Sequence, residues 1–208
     1  LGVLKPGGSE TAATWGAADG VLSVTGRPYG YLRTEKTYRD YKLTVEWRWD
    51  PAFTPKPNAR GVTPLRNSGV LLHVQGPDTV WPECLEAQLQ EQNAGDFYLM
   101  GGVTTAEWAA LRERQVAAAN AASDKAALEK ALANRRLARK APSSEKALGE
   151  WNRYEIICRG GTVTLRVNGV EQNHGAKVSR TSGHIALQSE GAPVQFRNIK
   201  LDPLPPKN

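Results

Sequence analysis

The run Tyr41-Lys-Leu-Thr-Val-Glu-Trp-Arg-Trp49 alternates for nine residues without a fault. Leu43, Val45, Trp47 and Trp49 share one side and Lys42, Thr44, Glu46 and Arg48 the other, a period of two that only an extended strand can bury on one face. Shorter runs repeat the pattern. Val70, Leu72 and Val74 alternate with Leu71, His73 and Gln75, and Leu85, Ala87 and Leu89 alternate with Glu86, Gln88 and Gln90. Thr162 to Asn168 ends in Asn168-Gly169, the pair that suits a tight hairpin turn, so a further strand is expected from Val170. Runs from His184 to Ser189 and from Val194 to Leu201 flank the turn signal Glu190-Gly191-Ala192-Pro193. A shift of apolar phase between Phe196 and Ile199 predicts a bulge at Arg197-Asn198. Many short strands with few helical patterns predict an all-β fold, an antiparallel two-sheet jelly-roll sandwich with one face free for a ligand.

One segment departs from this rule. Thr104 to Lys140 holds 13 alanines and no Gly or Pro, which predicts a helical insertion into a single domain spanning residues 1–208. Thr104 and Glu107 have capping-box spacing, and Asn120 to Asp124 divides the helix into a hairpin with Ser123 as second N-cap. The insertion is also where the charge lies. Of 27 Lys/Arg and 21 Asp/Glu, nine and five fall between Thr104 and Leu148, so the rest of the chain carries only two excess positive charges. Interspersed acids and the lack of alternating aromatic residues argue against nucleic acid as a partner. No apolar run approaches 18 residues, which excludes a membrane-spanning helix. The plainest role for the insertion is an ornament on the sandwich edge; a lid over the ligand face or a homo-oligomer contact are the sharper ones.

Candidate chemistry concentrates between Asn67 and Gly102. Glu86 and Gln88, two apart on a strand, project from one face about 7 Å apart. A standard glycosidase needs two carboxyl groups flanking the bond, and here the second position is an amide, which orients hydroxyls but is neither nucleophile nor base. His73 and Asp96 are candidate partners of Glu86 in catalysis. His73 with Glu86 could also hold a divalent ion, although the ligand spacing gives only a weak metal signal. Trp81 and Trp151 offer flat faces for sugar rings, Arg66 and Arg197 are candidate hydroxyl clamps, and Glu46 and Arg48 are further polar candidates on the first strand. Glu190 falls in a turn, where a carboxylate needs no role beyond solvation. Cys84 and Cys158 fit neither a zinc site nor a disulfide-dense scaffold.

The order TEKTYRDYKLTVEWRW, NSGVLLH, WPECLEAQL, NAGDFYLMGG, SSEKALGEWNRYEIICRGG, VNG and GHIALQSEGAPVQFRNIKL resembles the 3-keto-disaccharide hydrolase domain family from Trp15 to Leu201. The insertion is longer and richer in Ala than that family leads one to expect. The resemblance implies a concanavalin A-like jelly roll, export to a bacterial periplasm or cell surface, and action on glycosides already oxidised at C3. It maps a Glu-x-Gln element to Glu86-Ala87-Gln88 and a Gly-Asp element to Gly95-Asp96. Such chemistry fits a lone carboxylate, because a C3 ketone acidifies the C2 proton and a single base then starts an elimination. Glu86 or His73 is the expected base, Gln88 and Arg66 the groups holding hydroxyls or the ketone, and Asp96 an acid or the orienter of His73. A non-catalytic carbohydrate-binding module is the alternative of another class, and an ordinary β-glucanase the third.

Overall fold

The computed structural model describes residues 2–4 and 11–206. In chain order its first elements are β1 (Gly2–Leu4), α1 (Thr11–Thr14), β2 (Trp15–Ala18), β3 (Val21–Val24), β4 (Gly30–Arg33) and β5 (Tyr41–Trp49). Then come β6 (Gly69–Gln75), β7 (Glu83–Gln88), β8 (Phe97–Met100), α2 (Ala106–Ala121), α3 (Lys125–Ala133) and β9 (Arg136–Leu137). The chain finishes with β10 (Asn152–Arg159), β11 (Thr162–Val167), β12 (Val170–Gly175), β13 (His184–Ser189) and β14 (Val194–Pro203). Two seven-stranded sheets result, a front sheet in the order β1-β4-β13-β6-β7-β8-β9 and a back sheet in the order β12-β11-β10-β5-β14-β3-β2. Among the described residues every pairing between neighbouring strands is antiparallel, from β1 on β4 to β8 on β9. The fold is the expected jelly-roll sandwich.

β5 shows why the sheets close on one another. Its residues alternate between buried and half-buried along its whole length. Tyr41, Leu43, Val45, Trp47 and Trp49 enter one core cluster with Val70, Leu72, Leu85, Leu89 and Phe97 of the front half. Each large side chain so buried contributes about 1.5–3 kcal/mol before conformational entropy is counted. The hairpin between β11 and β12 has Asn168 at φ 50° and Gly169 at φ 85°, the pair of left-handed residues that its two-residue turn requires. The bulge in β14 falls where the apolar phase predicts it, with the register shifting after Arg197 and Asn198 at φ 51°.

β6 holds a bulge that the alternation does not reveal. Its registers with β7 and β13 both shift around His73, which takes φ 55°. Val70 and Leu72 face the main core, whereas beyond the bulge Val74 joins Leu71 in a second buried cluster with Tyr31, Cys84, Met100 and Ala186 on the outer face. The expected common face of Val70, Leu72 and Val74 is therefore broken. His73 turns away from the Glu86 face, and its ring meets Tyr41 of the back sheet edge-on at 5.7 Å.

The insertion forms a helical hairpin ending in β9, which pairs with β8 and extends the front sheet. Its caps lie one residue beyond the expected ones. Thr105 caps α2, its hydroxyl accepting from the Trp108 N–H at 3.1 Å, while the Glu107 carboxylate accepts from the Ala176 N–H at 2.9 Å instead of completing a box. Asp124 caps α3 by accepting from the Ala127 N–H at 2.9 Å, and Ser123 sits in the left-handed region at φ 53°. Trp108 and Leu111 rest against the main core, so the hairpin covers the sandwich edge.

These caps predict opposite signs at adjacent positions. Asp124→Ala should cost about 1 kcal/mol in thermal or urea unfolding, whereas Ser123→Gly should raise stability by relieving the left-handed backbone. Equal effects at both positions would contradict the observed cap.

Candidate active site

A row of side chains crosses the outer face of the front sheet through the registered pairs Arg33–Ala186, Ala186–Leu71, Leu71–Glu86, Glu86–Tyr98 and Tyr98–Arg136. Gln88 emerges one step along β7 from Glu86, opposite Gly69. The turn after β13 brings Glu190 to the same place, where Glu86, Gln88, Tyr98 and Glu190 line a cavity of about 420 Å³ with Asn67, Trp81 and Arg135. Gly69 is what admits the Glu86 side chain. A Cβ at Gly69 would meet the Glu86 carboxyl, so the glycine of the Asn67-Ser68-Gly69 motif is needed for close approach.

The two carboxyl groups hold protons with unequal strength. Glu86 is only 4% exposed, and burial first and the Glu190 charge second push its acid well above the usual carboxyl range. Burial pushes Glu190 up to about 7, with a hydrogen bond from the Asn67 side chain acting in the opposite direction. Near neutral pH Glu86 therefore keeps its proton while Glu190 is poised to exchange one. Gln88 is fixed as a donor, because its side-chain oxygen accepts from the Leu89 and Gln90 N–H groups, both at 2.8 Å, leaving its NH₂ for the cavity. Tyr98 stays a neutral phenol, its pKa raised mainly by burial.

Several buried polar atoms at this face have no protein partner among the described residues. They are Oε1 of Glu86, Oδ1 of Asn67 and both side-chain heteroatoms of Gln188. Each such atom costs about 1–3 kcal/mol when left unpaired, so a polar ligand group reaching any of these four would recover part of that cost.

Glu86, Gln88 and Trp81 are the sequence candidates that the structure brings together. Trp81 is 49% exposed at the rim, 6.1 Å from Tyr29. His73 is elsewhere, buried, with Nδ1 donating to the Arg180 carbonyl at 2.8 Å and burial lowering its pKa. His73 and Glu86 therefore do not form the expected metal pair, and no group of three or more His, Cys, Asp or Glu side chains is assembled among the described residues. Asp96 does not line the cavity and does not meet His73. Its carboxylate is fully buried and accepts from Arg136 Nε at 2.6 Å and from the Arg139 N–H at 2.7 Å, which anchors the insertion's return. Arg66 is held by Glu91 at 2.9 Å and by the Phe53 carbonyl at 2.7 Å, and lines a neighbouring cavity.

Trp151, Glu46 and Arg48 belong to the back sheet's outer face, so the thickness of the sandwich, about 10 Å, separates them from Glu86. There Trp151 lies beneath the guanidinium groups of Arg48 at 4.6 Å and Arg197 at 4.1 Å, and Arg197 donates to Glu46 at 2.7 Å. The cysteines are free and buried, Cys84 in the outer-face cluster and Cys158 in the main core.

Glu190, Tyr98, Asn67 and Arg135 were not recognisable as site residues from spacing alone. The signal for Glu190 was parity, since Ala186, Gln188 and Glu190 continue one face past the end of β13. Arg135 carries no signal, because its position depends on where α3 hands the chain to β9.

The 3-keto-alpha-glucoside-1,2-lyase-like domain model, that of the 3-keto-disaccharide hydrolases, matches residues 5–202. The chain belongs to this family. Membership places it among carbohydrate-active proteins. No curated protein matches the sequence. Among solved structures, a Parabacteroides distasonis protein named as a candidate glycosyl hydrolase is 18% identical, covering 94% of this chain and 93% of its own at a TM-score of 0.59. A Bacillus subtilis carbohydrate-binding module is 8% identical over 91% of both chains, TM-score 0.55. A Bacillus licheniformis β-glucanase is 10% identical over 91% of this chain and 81% of its own, TM-score 0.51. At these identities the family member shares the jelly roll with both a binding module and an enzyme, so the likeness speaks to fold alone.

Two stability measurements test the site. Gly69→Ala should destabilise by about 1–3 kcal/mol, and much less in a Glu86→Ala background, because the clash needs both side chains. Additive effects would mean that the two do not compete for space. Glu190 titrates near 4.3 when unfolded and at about 7 here, so the folded state holds the proton more tightly and stability falls as pH rises between these values. Glu190→Gln should flatten that slope by about 2 kcal/mol between pH 4.5 and 7.5 in urea unfolding, and parallel curves would show an ordinary carboxylate.

Proposed function

We propose that this family member cleaves glycosides bearing a ketone at C3, by elimination followed by addition of water. The observation that carries the reading is that Glu86 and Glu190 line one cavity beside an amide whose oxygen is held by two N–H groups, with burial raising the pKa of both acids. The sugar lies in the cavity against Trp81. Glu190 removes the proton from C2, and the electron pair is delocalised onto the C3 oxygen as an enolate. The Gln88 NH₂ and the Arg135 guanidinium stabilise that oxygen. Collapse of the enolate breaks the bond between C1 and the glycosidic oxygen, and Glu86 supplies the leaving group's proton. A double bond between C1 and C2 remains. Water adding at C1, with a proton returned to C2, gives the free 3-keto sugar.

These roles differ from those expected of the sequence. Glu86, fully desolvated and protonated, serves as acid, and the base comes from the turn after β13. A second carboxyl group also restores the chemical minimum for ordinary glycoside hydrolysis, so the lone-carboxylate argument no longer favours elimination. Family membership and the donors aimed at a carbonyl oxygen favour it instead.

The test is turnover of a 3-keto-glucoside, followed by loss of the keto-sugar chromophore in alkali. Glu190→Gln and Glu86→Gln should each lower kcat/KM by about 10²–10⁴, and the wild-type profile should rise through about pH 7 as Glu190 ionises. A C2-deuterated substrate should show a primary isotope effect. Binding without turnover would make the protein a carbohydrate-binding module, and sugar release from an unoxidised glucoside without the isotope effect would make it a conventional glycosidase.

A further inference from the structure

Glu190 stands between two cavities. Beyond the sugar cavity, a second of about 650 Å³ shares Asn67, Gln90 and Glu190 with it. The walls of this second chamber differ in kind from the first. Tyr29, Phe53, Pro55 and Leu65 give it apolar surface, and Arg27 and Lys56 give it positive charge. Tyr29 and Leu65 are exposed at 38% and 43%, large apolar side chains facing solvent at its mouth. Arg27 is held in place, donating to the Tyr29 hydroxyl at 3.3 Å with its guanidinium 4.7 Å above the Tyr29 ring. Among the described residues neither Arg27 nor Lys56 has an ion-pair partner, whereas Arg66 at the back of the chamber is neutralised by Glu91. Among the described residues the only acid in the wall is the shared Glu190.

A neutral second sugar is better served by amides and carboxylates, which the first cavity concentrates. Apolar walls with two unpaired cations suit a flat apolar group carrying an anion. We infer that the second chamber receives the leaving group of the glycoside, and that this group is an aromatic acid. Its ring lies against Tyr29 and Phe53 and its carboxylate faces Arg27 and Lys56. Departure of such a group past Glu190 is consistent with cleavage at the boundary, and to that extent the inference rests on the function proposed above.

Binding can be tested apart from turnover. By calorimetry at low salt, 4-carboxyphenyl glucoside, unoxidised, should bind about five- to tenfold more tightly than phenyl glucoside, and the ratio should approach one in the Arg27→Ala/Lys56→Ala variant. Equal affinities in the wild type, or a preference that survives in the variant, would overturn the inference. Tighter binding of a glucuronic acid disaccharide than of the carboxyphenyl compound would also overturn it, assigning the chamber to an acidic sugar. The 3-keto form of the same carboxyphenyl glucoside separates the two readings. If the binding ratio holds but the 3-keto compound is not cleaved, the catalytic proposal fails and the chamber stands; cleavage without the ratio removes the chamber alone.

Discussion

A carboxyl group taken out of water must find a cation, collect hydrogen-bond donors or keep its proton. Glu86 has the third solution. Its neighbours across the front sheet are Leu71 and Tyr98, no cation among the described residues pairs with it, and Gly69 leaves room for its carboxyl rather than a charge to meet it. Nearby, Asp96 shows the opposite solution on the same sheet face. Equally buried, it takes a guanidinium and a backbone N–H from the insertion and serves as an anchor. The contrast between these two acids separates the reactive part of the front sheet from its structural edge.

The insertion also uses its basic excess locally. Arg136 and Arg139 tie it to Asp96 and Asn93, Arg112 lies over Trp108 at 5.3 Å, and Arg135 enters the cavity wall. Positive charge concentrated in one segment thus serves attachment and the cavity lining. The helices cover the edge beyond β8 and β9, and Arg135, in the link that follows them, is the insertion's contribution to the cavity lining. An ornament that delivers one guanidinium lies between the edge-packing and lid roles considered for it.

Legibility in the sequence followed the physics of each feature. The period-two runs located β5, β11 and β13, and Asn168-Gly169 located a turn, because strand alternation and left-handed turn residues are local properties. The bulge at His73 was hidden, since a left-handed histidine inside an apolar run leaves the composition unchanged while reversing every later side chain. Glu46 and Arg48 were placed opposite the apolar side of their strand, but alternation does not say which of two outer faces a strand supplies, and Trp151, outside every alternating run, carried no face at all. Glu190 was lost for a related reason. A residue just past a strand end keeps the strand's parity, yet its Gly-Ala-Pro successors read as a turn.

Gln88 explains why a second carboxylate beside Glu86 would be a poor design and one across the cavity a workable one. The position is flanked by two N–H donors, from Leu89 and Gln90, that hold its oxygen. A carboxylate there would be strongly stabilised in its ionised form, as hydrogen bonds to a charged group favour it, and its charge would drive Glu86 still further toward the neutral state. It would also lose the NH₂ that points at the ligand. An amide takes the same two bonds without charge and presents donors where an oxyanion can form. The ionisable partner instead comes from Glu190, whose burial is partial and whose contact with Asn67 tempers its affinity for the proton. The front sheet and the turn after β13 thereby raise two acids by unequal burial and keep one position donor-only through backbone N–H groups, three behaviours obtained from side chains of nearly equal size.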